Sequence, residues 1–364
     1  MKHFLISCGG TGGHLAPGIA LAEGLVARGH SATLLVSGKK IDARLAAKYP
    51  ALKFATVSAA PLAGGAAGWA RGGWALARGT VFCRQLVRRT HPAAVVAFGG
   101  FTAAPAALAG RLAGVPVALH EANRVPGRAT RALARFAQRV YLPPGVTLPG
   151  VDDSVRRHAA LPVRAEIMRL PRAEACARLG LDPAKKILAV LGGSQGASAL
   201  NDWARRELVT LAAAGAQVCC VTGPGKAAPA GGSAVFIEFC DDMAALLSAA
   251  DLVVSRAGAG TIAELARVGT PAILVPYPHA ADNHQQANAD WFAAGGGGLV
   301  LTQGNLASLG FRALDLLADD ARLARCRAAL RALDRPSALA LMLDDLENLH
   351  RPPPSPVAIQ FTLA

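Results

Sequence analysis

Seven consecutive residues, Cys8-Gly9-Gly10-Thr11-Gly12-Gly13-His14, carry the first chemistry in the chain. Glycines let a backbone come close to a ligand, and the free amides of a helix starting there favour an anion or an oxygen-rich group. The run is not the dinucleotide pattern G-x-G-x-x-G, because Leu15 stands at the third glycine and Val36-Ser37-Gly38 offers no acid for a ribose. Phe98-Gly99-Gly100-Phe101-Thr102 is a second loop of this kind, and His120-Glu121-Ala122-Asn123 adds titratable and amide groups. A third glycine loop, Leu191-Gly192-Gly193-Ser194-Gln195-Gly196-Ala197, can seat a diphosphate on helix amides, with the Ser194 hydroxyl as an added donor. It is not a Walker A loop, since no Gly-Lys-Ser/Thr follows. The run from Ser255 to Glu264 ends in a carboxylate that reads in two ways: as the close of a Thr261-x-x-Glu264 capping box, or as an acceptor for both hydroxyls of a ribose. Each loop alone reads equally well as a tight turn or a satisfied polar strand end. Their gathering is what points to a ligand.

The elements that must position these loops follow from periodicity. Short apolar runs alternate with longer Ala/Leu/Arg stretches of helical period: His3–Ser7 then Leu15–Arg28, Ala32–Val36, Ala94–Ala97 then Ala104–Ala113, and Val115–Leu119 then Arg128–Ala137. This is the pattern of βαβ units on a parallel sheet, which places loop ligands at the carboxyl ends of the strands. The pattern restarts at Ile187–Leu191 and Ala197–Ala213, and continues through Gln217–Val221, Ala234–Ile237, Leu252–Val254, Ile262–Val268, Ala272–Val275 and Asn288–Ala294. Two successive doubly wound domains separated by a Pro-rich break near Leu142–Pro162 are expected, with a last helical stretch over Ser337–His350.

With 364 residues, 52% hydrophobic and 17% charged, the chain suffices for two domains of about 150 residues each and is too apolar for disorder. Its net charge of +14 is unevenly placed: residues 1–150 hold 18 Lys and Arg against 3 acids, and residues 151–364 hold 20 against 21. Only 5% of residues are aromatic, poor material for stacking bases, and no nucleic-acid-binding motif is present, so a nucleic-acid partner is disfavoured. Seven cysteines without a C-x-x-C suggest neither a disulfide framework nor a zinc site, which fits a reducing compartment. Leu5-Ile6-Ser7-Cys8 looks like a lipoprotein cleavage box, yet few residues precede it, against the roughly 7–15 apolar ones a signal peptide needs. No apolar run reaches about 18 residues, so a membrane contact is expected at the surface only.

Taken in order, the loops resemble the MurG family, the lipid-linked N-acetylglucosaminyltransferases of peptidoglycan synthesis. The resemblance is carried by Gly9–His14 with Pro17-Gly18, Phe98–Phe101, His120–Asn123 with Val125-Pro126-Gly127, Pro162-Val163-Arg164, Gly192–Ala197 with Leu200-Asn201, Glu238–Met243, Arg256–Glu264 and His279–Asn288. Where that family usually reads Gly-Asn-Pro-Val-Arg, this chain has Ala160-Leu161-Pro162-Val163-Arg164. The resemblance implies an α/β GT-B fold, two Rossmann-like domains facing each other across a cleft. Residues 1–158 would form the acceptor and membrane-associating domain, joined by a returning helix at 336–350. Residues 159–335 would form the donor domain, with 351–364 a Pro-rich tail.

The implied reaction is inverting transfer of N-acetylglucosamine from UDP-N-acetylglucosamine to the 4-hydroxyl of the muramyl sugar of lipid I, giving lipid II and UDP. Carried over by motif, Ser194, Gln195 and Gly196 would hold the diphosphate and Glu264 the ribose. The backbone at Cys240 would meet uracil, with Ala259, Gly260, Thr261, Ile262 and Ala263 lining the nucleotide. Asn123 and Arg164 would reach the donor from the domain junction, Gln285 would contact the sugar, and Thr11, Gly12 and Gly13 would close over the reacting centre. Gly10, Gly99, Gly100, Phe101 and Glu121 are the implied acceptor contacts. His14 is the candidate general base, with capping of the first helix its alternative role. No Asp-x-Asp pair is present, and no cofactor or tightly bound metal is expected. The alternatives are a GT-B transferase with another lipid acceptor, a two-domain UDP-sugar epimerase, and a non-catalytic membrane-recruiting subunit.

An acceptor anchored in a cytoplasmic leaflet implies a peripheral enzyme on the inner membrane, working beside other cell-wall synthesis proteins and tied to cell shape and division. The stretch from Trp69 to Arg89 suits an anionic membrane surface, interleaving Trp69, Trp74 and Phe82 with Arg71, Arg78, Arg84, Arg88 and Arg89. Arg124, Arg128, Arg131, Arg135 and Arg139 form a second basic group in the same half.

Overall fold

The computed structural model describes residues 1–10, 12–60, 65–193, 196–226 and 234–349. The first sheet holds β1 (His3–Ser7), β2 (Ser31–Val36), β3 (Lys53–Thr56), β4 (Ala94–Ala97), β5 (Val117–His120), β6 (Arg139–Leu142) and β7 (Arg156–His158). All its pairings are parallel, in the order β3-β2-β1-β4-β5-β6-β7. Its connecting helices are α1 (Gly12–Ala27), α2 (Lys40–Ala47), α3 (Gly65–Thr90), α4 (Ala103–Leu112) and α5 (Arg128–Leu133). After α6 (Arg172–Leu179) comes the second sheet: β8 (Lys186–Leu191), β9 (Ala216–Val221), β10 (Ala234–Ile237), β11 (Leu252–Ser255), β12 (Ala272–Leu274) and β13 (Gly298–Val300). It is also parallel, in the order β10-β9-β8-β11-β12-β13, and carries α7 (Ser198–Ala213), α8 (Met243–Ala249), α9 (Ala259–Val268) and α10 (His284–Ala294). The chain ends in α11 (Leu309–Ala318), α12 (Asp320–Leu333) and α13 (Ala338–Glu347). The two doubly wound domains expected from the alternating pattern are therefore present.

Phe4, Leu5 and Ile6 are fully buried, as are Val95 and Val96 beside them, because helices cover both faces of a parallel sheet. The break expected near Leu142–Pro162 is less empty than its composition suggests. It contains β7, which continues the sheet through the pairs Val140–Arg156, Tyr141–Arg157 and Leu142–His158. Polar edge residues hide that strand from any hydrophobic pattern.

The last helix returns to the first domain. Met342, Leu343 and Leu346 of α13 join Ile6, Leu21 and Leu25 in one core cluster, each burial worth roughly 2 kcal/mol. Gly24 of α1 lets this helix approach, since a Cβ there would stand 2.9 Å from Leu343 Cδ1. Tyr141 Oη donates to Asp345 Oδ2 at 2.7 Å, and Arg28 meets Asp344 at 2.6 Å. The tail at 351–364 and His350 lie outside the described residues.

Candidate active site

Two helix N-termini meet in the cleft. A Cβ on Gly260, in the first turn of α9, would stand 3.9 Å from Gly13 Cα in the first turn of α1. Both ends present unsatisfied amides and the positive pole of a helix, so the gap between them attracts negative charge. Gly12 and Gly13 lie at this gap, in the first turn of α1; Thr11, Ser194 and Gln195 lie outside the described residues. Gly196 next to the latter pair has φ +68°, and a Cβ there would stand 2.0 Å from Thr222 O, so only glycine fits this turn before α7.

His14 lies against the second glycine loop. A Cβ on Gly99 would come 3.3 Å from His14 Nε2, and one on Gly100 would come 3.3 Å from Nδ1. Burial lowers the pKa of this imidazole; Glu121 and Asp42 pull it upward, while His284 and Lys39 lower it. The loop is tied to the first by Thr102, whose Oγ1 donates to Gly9 O at 3.0 Å.

Gly10 and Glu121 differ from the open acceptor contacts expected of them. Gly10 donates its amide to Asp42 Oδ2 at 2.9 Å and accepts from Lys39 Nζ at 2.8 Å, while the Phe101 ring packs where its Cβ would be. Glu121 is 4% exposed: Oε1 accepts from Asn123 N and Nδ2, and Oε2 from Gly127 N and Thr130 Oγ1. With both oxygens occupied, it shapes the loop after β5. Gly99, Gly100 and Phe101 likewise form the bed on which His14 and Gly10 rest.

Across the cleft, Arg164 Nη2 donates to Glu264 Oε1 at 3.1 Å, and Nη1 reaches Tyr49 Oη and Glu166 Oε1, both at 3.1 Å. Burial pushes the Glu264 carboxyl up, and Arg164 opposes that shift. This geometry excludes the capping-box reading, because α9 begins after Gly258 and has no side-chain cap. Arg164 is itself 7% exposed and engaged on both terminal nitrogens, so it braces Glu264 instead of standing free for a departing phosphate. Ala259, Thr261 and Ala263 are partly exposed, whereas Ile262 is turned into the core and can offer only backbone.

The remaining donor-side residues lie on neighbouring segments. Cys240 is 7% exposed, and burial pushes its thiol up to about 11, leaving its backbone as the polar feature. Beside it Asp241 pairs with Arg44 and Lys48, each at 3.0 Å, and the Arg44 guanidinium lies 4.0 Å from the Phe239 ring centre. Gln285 Oε1 accepts from Tyr277 N at 2.9 Å. Asn123 Oδ1 accepts from Asn288 Nδ2 at 3.0 Å, and Asn288 also holds Arg124 N and Ala257 O.

Sequence reasoning gave no role to four residues here: Asp42, Tyr49, Glu166 and Asn288. Two of them left a signal, Asp42 as one of three acids in residues 1–150 and Asn288 as the close of the His279–Asn288 segment. Among the described residues no cluster of His, Cys, Asp and Glu could hold a metal ion.

The two basic groups part ways. On α3, Trp69 (59%) and Trp74 (67%) are exposed with Phe82, Arg71, Arg78, Arg84, Arg88 and Arg89, and among the described residues these arginines form no ion pair. In the second group Arg128 and Arg131 pair with Asp282 of the other domain, Arg139 pairs with Asp345, and Arg124 stacks on Trp291. That group is spent mainly on contacts within the protein. No helix among the described residues is long and apolar enough to cross a membrane.

The chain is similar to known proteins over nearly its whole length. The model of the glycosyltransferase family 28 N-terminal domain matches residues 4–142, and that of the C-terminal domain matches 187–335. A protein of Opitutus terrae named UDP-N-acetylglucosamine–N-acetylmuramyl-(pentapeptide) pyrophosphoryl-undecaprenol N-acetylglucosamine transferase is 56% identical over 96% of each chain. Its namesake from Nitratidesulfovibrio vulgaris is 36% identical, over 97% of this chain and 99% of that one. The crystal structure of Acinetobacter baumannii MurG superposes with a TM-score of 0.70 at 25% identity, covering 96% of this chain and all of that one.

Proposed function

Because the chain belongs to glycosyltransferase family 28, and within it to the MurG family, we infer that it transfers N-acetylglucosamine from UDP-N-acetylglucosamine to lipid I. The product is lipid II, and the protein is an N-acetylglucosaminyltransferase of peptidoglycan synthesis. The observation that carries this reading on the structural side is the approach of Gly13 to Gly260, with His14 on one wall and the Arg164–Glu264 pair on the other.

In the mechanism we propose, the 4-hydroxyl oxygen of the muramyl sugar forms a bond to the anomeric carbon while the bond from that carbon to the UDP oxygen breaks, with inversion. His14 takes the hydroxyl proton. The charge released on the diphosphate falls on the amides of α9 and α1 and on the glycine loop before α7. One such oriented donor is worth about 3 kcal/mol of barrier, a hundredfold in rate. Glu264 accepts the ribose hydroxyls, and Arg164 favours its ionised form against the effect of burial and holds it in place. These donors do the work without a metal clamp, consistent with the absence of an Asp-x-Asp pair from the sequence.

Lipid I is a membrane substrate, and the exposed arginines and indoles of α3 form the surface that meets an anionic leaflet in this reading. The enzyme would then sit peripherally on the cytoplasmic face. Incubation with UDP-N-acetylglucosamine and a lipid I analogue tests the activity: a lipid-linked disaccharide should appear, and release of UDP without that product would refute the acceptor.

A further inference from the structure

The carboxylate of Asp42 lies where no motif put one. It is fully buried, and a single oxygen, Oδ2, accepts from Gly10 N at 2.9 Å, Ser37 N at 2.9 Å and Ser37 Oγ at 2.6 Å. The other oxygen, Oδ1, is buried with no hydrogen-bond partner among the described residues. Burying a carboxylate costs several kcal/mol unless it is well supplied with donors, so an oxygen left unpaired needs a reason. Two features of the surroundings supply it. Gly10 has φ +115° and packs against the Phe101 ring; a glycine has several such conformations open to it, and the bond to Asp42 fixes one of them. His14 stands in the first turn of the helix that follows, and Asp42 pulls its pKa upward against the effect of burial.

We propose that Asp42 is a positioning residue of the transfer reaction: from its buried place it fixes Gly10, two residues before α1, and through it the first helical turn that carries His14. The proposal rests on the reading of His14 as general base. The other groups acting on His14 are Glu121, which also favours the imidazolium, and Lys39 and His284, which oppose it. Two carboxylates on different elements, α2 and the loop after β5, thus offset the penalty that burial places on a protonated ring. A base held too weakly basic accepts a hydroxyl proton poorly, so this balance bears on kcat and leaves donor binding in the other domain untouched.

Asp42→Asn keeps an acceptor for Gly10 and Ser37 and removes the charge. Its kcat should fall at least tenfold with donor KM within twofold, and the acid limb of the kcat profile should move to lower pH. Gly10→Ala disturbs the loop and keeps the charge, so its kcat should fall with the acid limb in place. An NMR titration of the His14 ring needs no substrate, and Asp42→Asn should lower the His14 pKa whichever acceptor the enzyme uses. Failure of the wild type to make lipid-linked disaccharide would count against the functional reading alone. An unchanged His14 pKa in Asp42→Asn, or an unchanged kcat, overturns the proposal. If Asp42→Asn has lost its helical circular dichroism and so has not folded, Ser37→Ala takes the shortest donor from Oδ2; a kcat loss of threefold or more supports the proposal, and wild-type kcat overturns it.

Discussion

Arg164 and Glu264, 100 positions apart in the chain, meet at 3.1 Å, and each is largely withdrawn from water, with side-chain exposures of 9% and 15%. The pair joins the start of the second domain to the first turns of α9, where Glu264 is proposed to meet the ribose. Arg164→Met leaves Glu264 buried without its cation, at a cost of about 3 kcal/mol. In a domain of this size that lowers the melting midpoint by roughly 10 °C, to be read by calorimetry. Glu264→Ala should raise the donor KM at least tenfold with a smaller change in kcat; an unchanged donor KM would remove Glu264 from the ribose.

His14→Ala should behave in the opposite way. Loss of a general base costs about 10²- to 10⁴-fold in kcat, with donor KM within a few fold. Because burial lowers the pKa of His14, the acid limb of wild-type kcat should lie below the ordinary imidazole value of 6.5. Activity is lost as pH falls through that limb, since the base must be neutral to accept a proton. Steady-state kinetics from pH 5 to 8 checks both points, and a His14→Ala enzyme with intact kcat would return this residue to a capping role.

His120 makes the first domain sensitive to acid. It is 1% exposed, stacks on Phe98 with ring centres 5.2 Å apart, and burial pushes its pKa down to about 4. A histidine depressed on folding contributes stability that is full above the unfolded value of 6.5 and is lost as pH falls through the folded value of about 4. The window from 6.5 to 4 corresponds to about 3 kcal/mol. His120→Gln can still donate to Ala160 O and does not titrate, so urea unfolding at pH 7 and pH 4 should differ less in the variant by about that amount. Identical pH dependence in the two proteins would contradict the assignment.

On α3 each exposed arginine near an anionic surface is worth about 1 kcal/mol, about fivefold in affinity. Replacing Arg71, Arg78, Arg84 and Arg88 together by Ala should therefore weaken binding to anionic vesicles several-hundredfold at low salt. Trp74→Ala should weaken binding to anionic and neutral vesicles alike. Co-sedimentation decides it, and a wild-type protein that ignores lipid charge would exclude the leaflet as partner.

Local features of this fold were plain in the sequence. The strand at His3–Ser7 and the helix after it follow from an apolar run, a glycine loop and a helical period, all within 30 residues. What stayed hidden depends on distant partners. Glu264 was ambiguous until Arg164 settled its direction, and Asp42 meets Gly10 only because β2 and β1 are neighbours. The edge strand β7 lacks apolar residues, so periodicity could not register it. The contacts of the second basic group were hidden for a related reason, since Asp282 and Asp345, which bind three of its arginines, lie far along the chain.

The helix α2 is eight residues long and touches both halves of the reaction. Near its start Asp42 grips Gly10 from a buried position; further along, Arg44 and at its end Lys48 reach across to Asp241, beside the segment expected to meet uracil. The two grips differ in strength. Exposed ion pairs are worth at most about 1 kcal/mol each, while a buried carboxylate cannot release its donors without leaving charge unsolvated. A separation of the two domains would therefore break first between α2 and Asp241, and the glycine loop would stay with the first domain.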